Sequence, residues 1–254
     1  MALLEVEDVR LSFGGLQAID APGFTVDDGE VVGLIGPNGA GKTSLFNCIS
    51  GLYRPQSGSI RVGGTEVTRL ARHRITGLGV GRTFHNLGLL ASQTVRENVL
   101  AGAYDATRGG WWAHALALPS IAATEREMRG RADVLLAELG LAAVADRPVG
   151  ALPFGTLKRV ELARALLGEP RLLLIDEPAN GLIHSEVGEL GETLRRLAGE
   201  RGTAILLVEH HMGLVMSVCD RVCVLNFGRL IASGDPREVA RDPQVVAAYL
   251  GSAA

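Results

Sequence analysis

The chain is 254 residues long, 47% hydrophobic and 21% charged, the composition of a globular core and not of a disordered or fibrous chain. Its 25 basic and 28 acidic residues leave a net charge of -3, which argues against a dedicated nucleic-acid surface, because such binding is driven by phosphate neutralisation. No apolar run reaches the length of about 18 residues that spans a bilayer, and the N-terminus "MALLEVEDV" lacks the basic-then-apolar pattern of a signal peptide.

In chain order, "LLEVEDVRLSF" alternates and predicts a strand of a smaller antiparallel sheet. The apolar run "VVGLI", residues 31–35, predicts a strand of a parallel sheet, and the helical pattern "TSLFNCISGL" follows it. The basic stretch "RLARHR", residues 69–74, reads as a solvated face. From about 91 to 160 the strand signal disappears, and "TEREMRGRADVLLAELGL" places Met128, Ala132, Leu135, Leu136 and Leu139 on one helical face that stops at Gly140. Two further parallel strands are predicted at "RLLLID", residues 171–176, and "TAILLVEH", residues 203–210. "RVCVLNFGRLIASG" alternates around a turn and is assigned with the N-terminal strand to the antiparallel sheet. The expected class is α/β. Cys48, Cys219 and Cys223 lack CxxC spacing and read as buried apolar residues of a protein in a reducing compartment, in preference to a zinc site with His210 and His211.

Three segments carry chemistry. The first is "GPNGAGKTS", made of Gly36, Pro37, Asn38, Gly39, Ala40, Gly41, Lys42, Thr43 and Ser44. It satisfies G-x-x-x-x-G-K-[ST] between a predicted strand and a predicted helix, the context this phosphate-binding motif requires. Its glycines let backbone amides turn onto phosphate oxygens, the helix points its positive end at them, Lys42 adds a point charge, and the Thr43 hydroxyl suits Mg²⁺. The second is "RLLLIDEP", whose Asp176 and Glu177 stand at the carboxyl end of a strand, where open α/β sheets bind ligands. Neighbouring strand side chains point opposite ways, so two roles are expected: Asp176 holding Mg²⁺ and Glu177 polarising the attacking water. The third, "LPFGTLKRVELARALLGEP", is a Gly-containing turn that opens a helix with Val160, Ala163 and Leu167 on one face.

In this order the three segments resemble those of the ABC transporter ATPases, the third standing where that family has its LSGGQ signature. The resemblance runs over nearly the whole chain. It implies a P-loop NTPase fold of the RecA-like kind: a parallel core lobe, about residues 1–90 and 161–254, with a flanking antiparallel β-subdomain and a helical lobe, about residues 91–160, in one ATP-binding domain. It places Phe13 as an aromatic stacking on adenine, "GVGRTFHNL" as the segment joining the lobes, and His210 in "EHHM" as the switch histidine that contacts the γ-phosphate. "FGGLQAI", "RTFHNL", "GGWWAHALALP" and "VVAAYLG" are similar to the ATP-binding subunits of branched-chain amino acid importers. Trp111 and Trp112 suit either a permease contact or local packing.

The resemblance implies ATP and Mg²⁺, a second ABC ATPase subunit paired head to tail, and transmembrane permease subunits. A solute-binding protein is only an indirect partner, and nucleic acid is none. The expected place is the cytoplasmic face of the membrane. Several positions depart from the family. His85 replaces the lobe-joining glutamine, and imidazole is a poorer magnesium ligand than oxygen. Within the signature Leu152, Pro153, Phe154, Gly155 and Thr156, Pro153 replaces Ser and Thr156 replaces Gln. Proline has neither hydroxyl nor backbone donor, so contacts to the ATP of the partner should be reduced. Ile183 replaces an aspartate in the next loop. These departures suggest a heterodimer with one better and one poorer hydrolytic site. They also leave two alternatives to a transport motor: a weakly hydrolysing regulatory subunit, and a soluble ABC ATPase not linked to transport.

Overall fold

The computed structural model describes residues 2–83, 87–103 and 119–250. Two compact units result: Met1–Arg82 with Arg171–Ala254, and, inserted between these segments, Thr83–Pro170.

The first unit holds two sheets. β1 (Ala2–Phe13) pairs antiparallel with β2 (Leu16–Asp20), β3 (Phe24–Asp27) and β5 (Ser57–Val62), and β5 pairs with the short β6 (Thr65–Glu66). The other sheet has six strands: β4 (Val31–Ile35), β7 (Val80–Arg82), β8 (Leu172–Asp176), β9 (Ala204–Val208), β10 (Arg221–Asn226) and β11 (Arg229–Gly234). Their order is β11-β10-β4-β9-β8-β7, parallel except at β11. Every residue of β4, β8 and β9 is buried, as expected of parallel strands covered on both faces, and this explains their unbroken apolar runs.

One expectation needs correction. The hairpin at 221–234 does not join the antiparallel sheet; β10 lies parallel beside β4, and only β11 turns back on it. Val222, Cys223, Val224 and Leu225 are buried in succession, so the apparent alternation hid a strand covered on both faces.

Helix α1 (Lys42–Ile49) buries Leu45, Phe46 and Ile49 in the core of this unit. A short helix α2 (Arg72–Gly77) precedes β7. The long helix α6 (His184–Arg201) lies between β8 and β9 in the chain and ends at Gly202, whose φ of 64° suits a left-handed cap. Then follow α7 (Met212–Val218), α8 (Pro236–Val239) and α9 (Pro243–Leu250).

The second unit is built from α3 (Val95–Leu100), α4 (Pro119–Glu138) and α5 (Phe154–Leu166). Met128, Ala132, Leu135, Leu136 and Leu139 are all buried, so the helical face expected from the sequence is the packed one. Thr94 and Glu97 cap α3 reciprocally, Thr94 N–H on Glu97 Oε2 at 2.8 Å and Glu97 N–H on Thr94 Oγ1 at 3.2 Å. The boundary expected near 160 falls at Pro170 instead, because α5 runs unbroken through residue 160. At the other boundary, residues 87–90 belong to this unit: Arg164 donates to Leu87 O at 2.7 Å and Gly88 O at 2.6 Å, and Leu90 N–H donates to the buried Asn98 at 2.7 Å. Among the described residues no helix is long and apolar enough to cross a membrane.

Candidate functional site

Three adjacent parallel strands set the site. β4, β9 and β8 lie side by side, with Leu34 opposite Val208 and Val208 opposite Asp176. Their carboxyl ends therefore open on one edge of the sheet. The Gly36 loop follows β4, Glu209 and His210 follow β9, and Asp176 ends β8 with Glu177 after it. Residues far apart in sequence meet there because of strand order alone.

The loop after β4 can be built only with glycine at two points. Gly36 has φ 146° and a Cβ there would stand 2.1 Å from Leu225 O, the backbone of β10; Gly41 has φ 99° and its Cβ would meet Ala18 O at 2.3 Å. A side chain at either position would push the loop off the sheets that support it. Lys42 opens α1 and is only 8% exposed. Its Nζ donates to Gly36 O at 2.7 Å and Pro37 O at 3.0 Å, so the ammonium lies folded over the loop. Burial holds Lys42 below its usual lysine value, while Glu177 and Asp176 pull it back up. Thr43 is exposed and Ser44 half-buried, in the first turn of α1; Asn38 and Gly39 are exposed at the loop tip, and Ala40 is buried beneath it.

Asp176 is buried, and Arg82 Nη2 stands 3.9 Å from its Oδ2. Arg82 also donates from Nη1 to Asn47 Oδ1 at 2.8 Å and Ser50 Oγ at 2.6 Å, tying the end of α1 to the strand that carries Asp176. Glu177 leaves the strand with φ 48°, the left-handed region that residues with a Cβ rarely adopt. Asp176 is thus the last residue of the strand and buried, while Glu177 stands in the turn beyond it with a side chain 25% exposed. Glu177 N–H still reaches Val208 O at 2.8 Å. His210 is 60% exposed at its side chain, and its Nδ1 lies 3.7 Å from Glu177 Oε1 and 3.7 Å from Glu209 Oε1. His211 has another job: its Nδ1 accepts from Leu214 N–H at 3.2 Å and caps α7.

Phe13 ends β1 on the surface, 46% exposed, with its ring centroid 5.2 Å from that of Tyr53 in an edge-on contact at 74°. A core role for Phe13 is thereby excluded. In the second unit Pro153 is the exposed N-cap of α5 and offers no side-chain bond; Phe154 is exposed, Gly155 buried, Thr156 half-buried, and Leu152 buried just before the cap. Ile183 caps α6, exposed, and its N–H is taken by Glu186 Oε2 at 3.1 Å, which supplies the half of a cap that isoleucine can use. His85, Trp111 and Trp112 lie outside the described residues. Cys48, Cys219 and Cys223 are free and buried, and among the described residues no group of three metal-binding side chains exists.

Sequence reasoning missed Arg82, Tyr53 and Glu209. Glu209 had a signal, an acid closing an otherwise apolar strand run, and so did Arg82, a charge in the short run before the second unit. Tyr53 had none, because its pairing with Phe13 depends on how α1 meets the antiparallel sheet.

Comparison with known proteins agrees with this geometry. Residues 19–180 match the family model described as ABC transporter, and residues 229–254 match that of the branched-chain amino acid ATP-binding cassette transporter. The chain is 39% identical to the high-affinity branched-chain amino acid transport ATP-binding protein BraF of Pseudomonas aeruginosa, over 99% of this chain and 98% of the relative. The identity and coverage are the same for LivG of Escherichia coli (strain K12), a protein of the same description. Among solved structures, the ADP conformation of an ATP-binding cassette of an ABC transporter superposes with a TM-score of 0.87 at 30% identity, covering 99% of both chains. A phosphate loop backed by β10, an acidic turn after β8 and a histidine after β9 are thus read in a chain that belongs to the ABC transporter family, as one of its ATP-binding cassette ATPases.

Proposed function

We propose that the chain binds and hydrolyses ATP to power uptake of branched-chain amino acids, or a related small solute, through membrane permease subunits. The observation that carries the hydrolytic part is the meeting of the Gly36 loop, Asp176, Glu177 and His210 at the ends of three neighbouring strands. The cargo reading is supported by the match of residues 229–254 and by the relatives at 39% identity.

In this reading the loop amides and Lys42 hold the β- and γ-phosphates, and an ammonium with three donors can keep its loop carbonyls while turning one N–H to phosphate. Thr43 and Asp176 offer a hydroxyl and a carboxylate, the hard oxygen donors that fit Mg²⁺. When bound, Mg²⁺ would neutralise charge on the phosphates. Glu177 orients and polarises the water that attacks the γ-phosphorus; the bond to the leaving ADP oxygen breaks, and the proton of the water passes to Glu177. His210 hydrogen-bonds the γ-phosphate from the neighbouring strand end. Phe13, in edge-to-face contact with Tyr53, supplies an aromatic surface for adenine.

Leu152, Pro153, Phe154, Gly155 and Thr156 act on the ATP of a second ATPase subunit. ATP gripped by both subunits draws them together, and loss of the γ-phosphate releases them to drive the permease. The subunit would sit peripherally on the cytoplasmic face. An N-cap without a hydroxyl at Pro153 favours a heterodimer in which the partner's site is the weaker one. The same feature supports a second reading, a weakly hydrolysing regulatory subunit.

The test is reconstitution of the assembled transporter in vesicles. ATP-dependent accumulation of labelled leucine, abolished by Glu177→Gln, is expected. Robust ATP turnover without uptake of leucine, isoleucine or valine would refute the cargo, and binding without turnover would refute the motor.

A further inference from the structure

One buried carboxylate at the site is not used by any of these roles. Glu209 follows Val208 directly, and its side chain is 0% exposed. Its two oxygens serve two different loops. Oε2 accepts from Ala179 N–H at 3.0 Å, in the turn just past Glu177. Oε1 accepts from His210 N–H at 2.8 Å and His211 N–H at 2.9 Å. Burying a carboxylate is costly unless it is hydrogen-bonded, and an apolar residue would close β9 more cheaply. The cost is offset here by amides of exactly those turns that bear Glu177 and His210.

The backbone of Glu177 makes the arrangement sharper. Its φ of 48° is held from both sides by consecutive residues of the β9 segment: its own N–H bonds to Val208 O at 2.8 Å, and Ala179 N–H bonds to Glu209. A conformation of this kind persists only where its surroundings fix it.

We propose that Glu209 is a positioning residue for ATP hydrolysis, a carboxylate clasp that keeps the turn carrying Glu177 in register with the turn presenting His210. The proposal rests on the reading of Glu177 and His210 given above. Glu209 acts through the two turns, by its bonds to the amides of Ala179, His210 and His211.

The experiment measures steady-state ATP turnover and nucleotide binding by the assembled transporter carrying Glu209→Gln, beside the unaltered complex. Glutamine keeps the volume but turns one oxygen into an NH₂ that faces an N–H donor, so one of the two turns is released. Misplacing a catalytic group by about 1 Å costs on the order of 100-fold. The expected result is therefore kcat reduced about 10- to 100-fold with KM for ATP within about twofold. Should the glutamine variant not fold, Glu209→Asp, which keeps both oxygens but is one methylene too short to reach both turns, gives the same readout. The proposal is overturned by kcat within twofold of the unaltered complex, by KM rising in step with the fall in kcat, or by failure of both variants to fold, since the carboxylate would then support the fold and not the site. An unaltered complex that turns over no ATP would overturn the site reading itself and this proposal with it; an active one matched by the glutamine variant overturns the clasp alone.

Discussion

His210 Nδ1 stands 3.7 Å from Glu177 Oε1, although the two residues close different strands. That contact joins the group expected to polarise water to the group expected to touch the γ-phosphate. Glu177→Gln should keep ATP bound while lowering turnover by about 10²- to 10⁴-fold, the range for loss of a general base. Mass in solution with and without MgATP adds a second reading of the same variant. A chain that binds ATP yet stays monomeric agrees with a heterodimer; an ATP-dependent homodimer would remove the case for two unequal sites.

Gly36→Ala tests the support of the phosphate loop. The added methyl would lie 2.1 Å from Leu225 O, and backbone cannot yield as a flexible side chain can. Loss of ATP binding is expected, together with destabilisation of at least about 1 to 3 kcal/mol for the backbone conformation alone. Chemical unfolding and a fluorescent nucleotide titration measure the two effects. Unchanged affinity would mean that the loop does not depend on β10.

Burial lowers Lys42 from the ordinary value of 10.5, so it loses its proton at a lower pH than a free lysine. Below its own folded value Lys42 is charged and grips phosphate; as pH rises through that value, still short of 10.5, ATP affinity should fall. The fold responds oppositely. A depressed lysine is a penalty at low pH that is relieved between the folded value and 10.5, so the nucleotide-free protein should gain stability from this group over the same range. An affinity flat up to 10.5 would contradict a buried ammonium at the site.

All three thiols should be silent to a thiol reagent in the native state. Burial pushes Cys48 up to about 12 and Cys219 up to about 12, and it raises Cys223 as well. Labelling at pH 8 should therefore give no fast phase until denaturant is added. Stoichiometric labelling of the folded protein would show that one of these strands or helices opens.

Pro153→Ser has two readouts. Serine at an N-cap accepts a hydrogen bond from the first turn, which should stabilise α5 by about 1 kcal/mol. It also restores a hydroxyl to the signature, so turnover of the assembled transporter should rise. Greater stability without faster turnover would show that the signature is not what limits hydrolysis.

How much of this was legible in the sequence depends on the kind of constraint involved. The runs at β4, β8 and β9 were plain, because a strand buried on both faces needs continuous apolar residues. The phosphate loop was legible for a similar reason, since glycine at 36 and 41 answers to backbone that approaches within a bond length or two. The hairpin at β10 and β11 was misplaced because one strand faces protein on both sides and the other does not, a difference that only pairing reveals. Glu209 and Arg82 escaped because their partners, Ala179 and Asn47, are ordinary residues with no motif of their own.

The parallel pairing of β4 with β9 and β10 bears on how the molecule is made. The phosphate loop leaves the ribosome well before β10, yet the hydrogen bond from Val31 N–H to Asp220 spans 189 residues, and Gly36 rests against Leu225. Contacts of such long range form slowly and late, because loop closure must precede them. A nascent chain halted before β10 carries the whole nucleotide motif without the strand that backs Gly36. Competence to bind ATP thus arrives only once the hairpin of β10 and β11 has been made, and chains released before it should be unable to compete for nucleotide or for a partner subunit.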